Sequence, residues 1–142
     1  MLKIRTEQIK VFQPVAETAF LNRLVEYLQK QHPQVAVQLG ESLVVICQIP
    51  TEQLKTLVEQ GIKRARAYSM TDESSIAAFV VLMFVTAPNF DEHPLIQRLL
   101  NDEKILPNER IDGLWQRTTE QNWQVVKQNY NPNAWKAMGE NK

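Results

Sequence analysis

The sequence predicts an all-α domain, a compact bundle of five or six helices around a buried central helix near residues 72–86. Three observations predict it. Phe20, Leu21, Leu24, Val25 and Leu28 recur at three- and four-residue steps and make one apolar stripe. Leu54, Leu57, Val58, Ile62, Ala65 and Tyr68 make a second stripe. Between Ile76 and Thr86 the chain is apolar nearly all round, as expected of a helix enclosed by others.

Thr6 is placed to cap a first helix, and Pro14 interrupts it by removing a hydrogen bond and clashing with the preceding turn. The predicted outcome is a short helix followed by a second from about Val15, or one kinked helix. His32-Pro33 ends the first stripe, because a residue before proline avoids helical angles. Residues 35–49 read two ways. Val35 to Leu39 alternates and Leu43 to Ile49 is rich in β-branched residues, so a short hairpin turning at Gly40-Glu41-Ser42 fits. A short helix followed by a buried helix fits the same residues, since propensity is a weak prior.

Thr51 is read as the cap of the next helix, with Glu52 suited to its first turn. Gly61 lies within that helix, where it is less favourable than alanine by about 1 kcal/mol. Such a position suggests close packing against a neighbouring helix or a partner backbone. Lys63, Arg64 and Arg66 crowd the last turns, where positive charge offsets the negative helix end. Thr71 is read as the next cap, with Asp72 and Glu73 in the first turn, and Ala87-Pro88 stops that helix. Pro94 suits the start of a short helix over 95–101. One long last helix is predicted from Pro107 or Asn108 to Tyr130, with Ile111, Leu114, Trp115, Trp123 and Val126 on one stripe. Asn131-Pro132 ends it. Residues 131–142 read as a tail that frays unless Trp135 docks.

The 142 residues favour one domain, 1–142, and neither a repeat nor a linker divides it. Sixteen Lys and Arg balance sixteen Asp and Glu. Nucleic acid is therefore an unexpected partner, because its phosphates demand excess cations. No apolar run reaches the length of a membrane span, and the start lacks the apolar core of a secretory signal. No membrane association and a cytoplasmic location are the resulting expectations. Cys47 is the single cysteine, in an apolar run, and reads as a buried small hydrophobe.

No catalytic constellation is visible, and the expectation is a non-enzyme without metal or cofactor. His32 and His93 are far apart and lie beside prolines. With one cysteine and two histidines, ligand spacing for zinc is absent. The acidic pairs Asp91-Glu92 and Asp102-Glu103 flank predicted helix ends, where capping or solvation accounts for them. Trp115, Trp123 and Trp135 cluster late in the chain. Core packing explains the first two, and an interface anchor is the stronger reading for Trp135 in a tail.

Several short motifs carry a resemblance. They are Ile4-Arg5-x-Glu7-Gln8, Phe20, Leu24, Leu39-Gly40-Glu41, Gly61-Ile62-x-Arg64-Ala65-x-x-Tyr68, Phe79-x-x-Leu82-Met83-Phe84, Pro88-x-Phe90-Asp91 and Arg110-Ile111-Asp112. Over roughly residues 1–115 the chain resembles small helical accessory proteins encoded in bacterial type VI secretion clusters. Those proteins sit beside spike, PAAR-tip, effector and adaptor-chaperone genes. Ser69 and Ala87 stand where such proteins commonly have glycine, at helix C-terminal turns. The stretch from Leu43 to Gln53 is longer than their usual spacing.

The resemblance implies a binding protein: a co-chaperone or loading factor that holds a secreted effector, its adaptor chaperone or a spike protein before secretion. The competing reading is an immunity protein that neutralises a cognate toxin, against which the even scatter of charge argues. Arg64, Arg66, Phe90 and Asp91 flank one predicted end of the bundle. Together with Trp135 they are the candidate partner-binding residues, the charged groups for complementarity and the two aromatics as apolar anchors. The apolar and aromatic content would also permit a homodimer.

Overall fold

The structure is a computed structural model that describes residues 17–137. The expected cap at Thr6, the break at Pro14, and Met138 with the rest of the tail lie outside the described residues.

The chain is mostly helical, with one small antiparallel hairpin. The helices are α1 (Glu17–Gln31), α2 (Thr51–Ala67), α3 (Glu73–Val85), α4 (Pro94–Leu100), α5 (Arg110–Arg117), α6 (Glu120–Gln128) and α7 (Ala134–Ala137). Strands β1 (Ala36–Leu39) and β2 (Ser42–Val45) separate α1 from α2. The helical-bundle expectation holds in its coarse form. The all-α expectation is corrected by the hairpin, which is one of the two readings of residues 35–49.

The hairpin wins for local reasons. Ala36 faces Val45 and Leu39 faces Ser42, so Gly40 and Glu41 form the turn. Gly40 has φ +63° while Glu41 keeps a negative φ. A two-residue turn with positive φ at its first central position favours glycine there. Val37 is fully buried while its neighbours Ala36 and Gln38 are exposed, so the period is two and not that of a helix. Cys47, expected in the core, sits exposed in the 3₁₀ turn that follows β2.

Helix α3 is the centre. Every residue from Ser75 to Phe84 is buried. Asp72, not Thr71, caps it, accepting a hydrogen bond from the Ser74 backbone N–H. A second support comes from far along the chain. Asn108 Oδ1 accepts from the Thr71 and Asp72 N–H groups at 3.0 Å each, and its backbone carbonyl accepts from Ser75 Oγ at 2.9 Å. Helix α2 packs along α3. A Cβ on Gly61 would lie 3.0 Å from Val80 Cγ2 and 3.1 Å from Met83 Sδ. The glycine therefore lets the two helices approach closely, and the helix-propensity gain from alanine would be opposed by overpacking. At the end of α2, Ser69 takes φ +70°, the left-handed conformation that glycine adopts without penalty. Ala87 does not: it is buried with an ordinary negative φ.

The predicted long last helix is two helices. Thr118 is extended, with φ −121° and ψ +161°. Thr119 then opens α6 with a reciprocal cap, its hydroxyl accepting from the Asn122 N–H while Asn122 Oδ1 accepts from the Thr119 N–H. The break lets Trp115 and Trp123 pack on each other from different helices, with ring centroids 5.1 Å apart.

Candidate partner-binding groove

Three elements surround a groove on one side of the molecule. Gln53, Thr56, Leu57 and Gln60 recur at three- and four-residue steps on α2 and form its base. The turn residues Leu39 and Gly40 form one wall, and Pro132 and Trp135 form the other. The volume is about 320 Å³. Among the described residues no charged one lines it. Gly40 leaves room, since a Cβ there would meet nothing within 4 Å.

The walls are tied together by one hydroxyl. Tyr130 Oη accepts from the Gln38 backbone N–H at 3.1 Å and from Trp135 Nε1 at 3.1 Å. This joins β1 to the short helix α7. Trp135 is 2% exposed, and its ring lies 4.8 Å from that of Phe84 on α3. The tail up to Ala137 is thus docked by the tryptophan. Gln60 is 7% exposed, and its Oε1 has no hydrogen-bond partner among the described residues.

The remaining sequence-predicted site residues gather at the other end of α2, and only one of them is exposed. Arg64 is 8% exposed. Its guanidinium donates to the Pro88 carbonyl at 3.1 Å, pairs with Asp91 Oδ2 at 3.1 Å and reaches Glu92 Oε2 at 3.2 Å. Tyr68 Oη donates to the same Asp91 oxygen at 2.8 Å. Burial pushes the Asp91 carboxyl above the usual carboxylate range, against the opposing pull of Arg64 and the Tyr68 hydrogen bond. Burial, reinforced by the Asp91 charge, also raises the Tyr68 hydroxyl, so the phenol remains a donor.

Phe90 is fully buried, with its ring 4.9 Å from Phe79 and 6.1 Å from Trp123. Arg66 alone reaches the surface, paired with Glu17 at 2.8 and 3.0 Å. The anchoring expected of Phe90 and Trp135 toward a partner is therefore directed into the protein's own core. The charge expected to meet a partner at Arg64 and Asp91 is neutralised within the fold. The pair is buried inside the fold, with Asp91 Oδ2 shared by Arg64 and Tyr68 while Oδ1 has no hydrogen-bond partner among the described residues, so its role is structural.

Two functional-looking residues have no role assigned to them from the sequence. Arg110, 9% exposed, donates to the carbonyls of Ile105 at 2.9 Å and Leu100 at 2.8 Å, closing the end of α4. Gln60 sat unnoticed on the polar side of α2, because only the tertiary arrangement of hairpin and α7 covers it. Leu43 on β2 is 72% exposed, the largest apolar side chain left open on the hairpin. Among the described residues no group of His, Cys, Asp and Glu could hold a metal ion, and no helix is long and apolar enough to cross a membrane. Comparison with protein-family models, with curated proteins and with solved structures gives no match.

Proposed function

We propose that this chain is a non-catalytic binding protein that holds a segment of another polypeptide. More particularly, it acts in type VI secretion as a co-chaperone or loading factor for an effector or its adaptor. The groove between α2, the hairpin turn and α7 is the observation that supports this reading best. It is concave, uncharged and walled by Leu39, Leu57, Pro132 and Trp135, which suits an apolar stretch of chain that must be shielded before secretion. The secretion context rests on the motif resemblance of residues 1–115. The neat division of labour supports the binding reading further. Arg64, Asp91, Asn108 and Arg110 are all engaged in holding helices together, whereas the exposed groove residues Gln53 and Thr56 have no such duty.

The test is capture of partners from the native cytoplasm, with the wild-type chain compared to Thr56→Arg. Thr56 is exposed at the groove base, and its hydroxyl donates to the Glu52 carbonyl of its own helix. A charge there fills the groove without touching the core. The expected result is that wild type retains an effector with its adaptor or spike protein. Thr56→Arg should lose at least about 10-fold of that capture, equivalent to about 1.4 kcal/mol, with an unchanged melting temperature. Equal capture by both proteins would put the binding surface elsewhere.

A further inference from the structure

Gln60 has an environment that its own fold does not explain. The residue is 7% exposed, and it lines the groove. Yet Oε1 finds no donor among the described residues. Buried carboxamides in folded proteins are almost always bonded, because a shielded acceptor without a partner loses the hydrogen bonds it had with water. Among the other groove residues, Thr56 donates to Glu52, Trp135 Nε1 donates to Tyr130, and Leu39, Leu57 and Pro132 have no side-chain donor. Gln53 carries a carboxamide donor but does not bond Gln60 Oε1.

A carboxamide carries one acceptor and one donor end in a plane, the same pattern as a peptide group. Its terminal torsion is soft, so Oε1 can turn toward an incoming donor. The surrounding wall is apolar and uncharged, which disfavours an ionic ligand that would have to be desolvated without a counter-charge.

We propose that Gln60 reads the main chain of an extended, uncharged partner segment lying in the groove. Oε1 accepts a peptide N–H and Nε2 donates to a peptide carbonyl, while apolar side chains of the segment rest on Leu39, Leu57 and Trp135. The inference builds on the binding reading above, but it concerns the ligand's chemistry and not the partner's identity. It also gives the oxygen a donor that the described residues do not supply.

Two measurements test it on the full chain. The first is the melting temperature of Gln60→Met, which keeps the shape and removes the polar atoms. It should rise by about 3 °C, since an unpartnered buried acceptor is removed. A fall of similar size would mean that the amide is satisfied within the fold and would overturn the proposal. The second uses the capped tripeptide acetyl-Leu-Ala-Leu-methylamide and its analogues with each amide in turn replaced by an ester. Nuclear magnetic resonance follows the Gln60 side-chain NH₂ and the Trp135 indole N–H. Wild type should bind the peptide saturably at both signals. One ester analogue should bind about 5-fold to 10-fold more weakly, as loss of one hydrogen bond implies. Gln60→Met should bind peptide and esters alike. No response at either signal, or equal weakening by the ester in both proteins, overturns main-chain reading by Gln60. Failure of partner capture beside successful peptide binding would instead remove the secretion role and leave the groove chemistry standing.

Discussion

Replacing Arg64 with alanine is expected to destabilise the fold by about 3–5 kcal/mol, read by urea unfolding at neutral pH. The magnitude follows from removing one partner of a buried ion pair and leaving the other behind. Asp91, in a site 2% exposed, would lose the cation that favours its charged form, and the Pro88 carbonyl would lose its donor. The Arg66→Ala change is the natural comparison. Its pair with Glu17 has side chains 47% and 60% exposed, so solvent screens it and about 0–1 kcal/mol is expected. Comparable losses in the two variants would contradict the assignment of Arg64 as a structural residue.

The pH dependence gives the same prediction a second readout. The Asp91 carboxyl titrates above its ordinary value of 3.8 in the folded chain. Between those two values the folded state holds the proton more often than the unfolded state. This group's contribution to stability therefore falls as pH rises through that interval. Arg64 limits the upward shift, so its removal extends the interval to higher pH. The loss caused by Arg64→Ala should shrink as pH is lowered toward the carboxylate range, where Asp91 becomes neutral. Adding Asp91→Asn to Arg64→Ala should recover part of the loss at neutral pH, because the uncompensated charge is gone. A loss that stays constant with pH and ignores the second substitution would sink this account.

How much of this could be read from the chain depends on how local each cause is. The apolar stripe of α1, the enclosed helix α3, Pro94 at the start of α4 and the close approach at Gly61 all follow from spacing and single-residue chemistry, and the structure has them. The strand–helix ambiguity at 35–49 was real, because β-branched content alone does not fix the period; the positive φ at Gly40 and the burial of Val37 do. The split of the last helix hung on Thr119 and Asn122. That pair is a capping box in which asparagine replaces the usual Glu or Gln, so a continuous apolar stripe masked it.

The candidate site was far less legible. Arginine and aspartate near helix ends look alike in sequence whether they face solvent or each other. Their pairing spans α2 and the 3₁₀ turn at Phe90–Glu92, and it is settled by packing. The groove needs three segments distant in sequence, so no local pattern announces it. Even the supporting cap of α3 by Asn108 is a contact between remote positions, and Asn108 by itself reads only as a helix start.

Trp135→Ala is expected to destabilise the chain by about 3–5 kcal/mol, as for other large buried aromatic side chains. Its indole contacts Phe84 and donates to Tyr130, whose hydroxyl also holds β1 through Gln38. Truncation would therefore release α7 and loosen the hairpin wall of the groove together. Because α7 is a helix of four residues, undocking it locally sets an upper limit on the loss. Hydrogen exchange should accordingly show early opening of the Gln38 amide, ahead of α3. An interface anchor behaves differently, and the two roles separate cleanly by experiment. A tryptophan that serves only a partner leaves urea unfolding of the free chain within about 0.5 kcal/mol of wild type when truncated and removes partner capture alone. Loss of stability, of Gln38 protection and of capture together is the pattern of a wall residue, one whose contribution to binding passes through the shape it gives the groove. The isolated loss of capture would return Trp135 to the partner's side of the account and leave the docking of α7 without energetic weight.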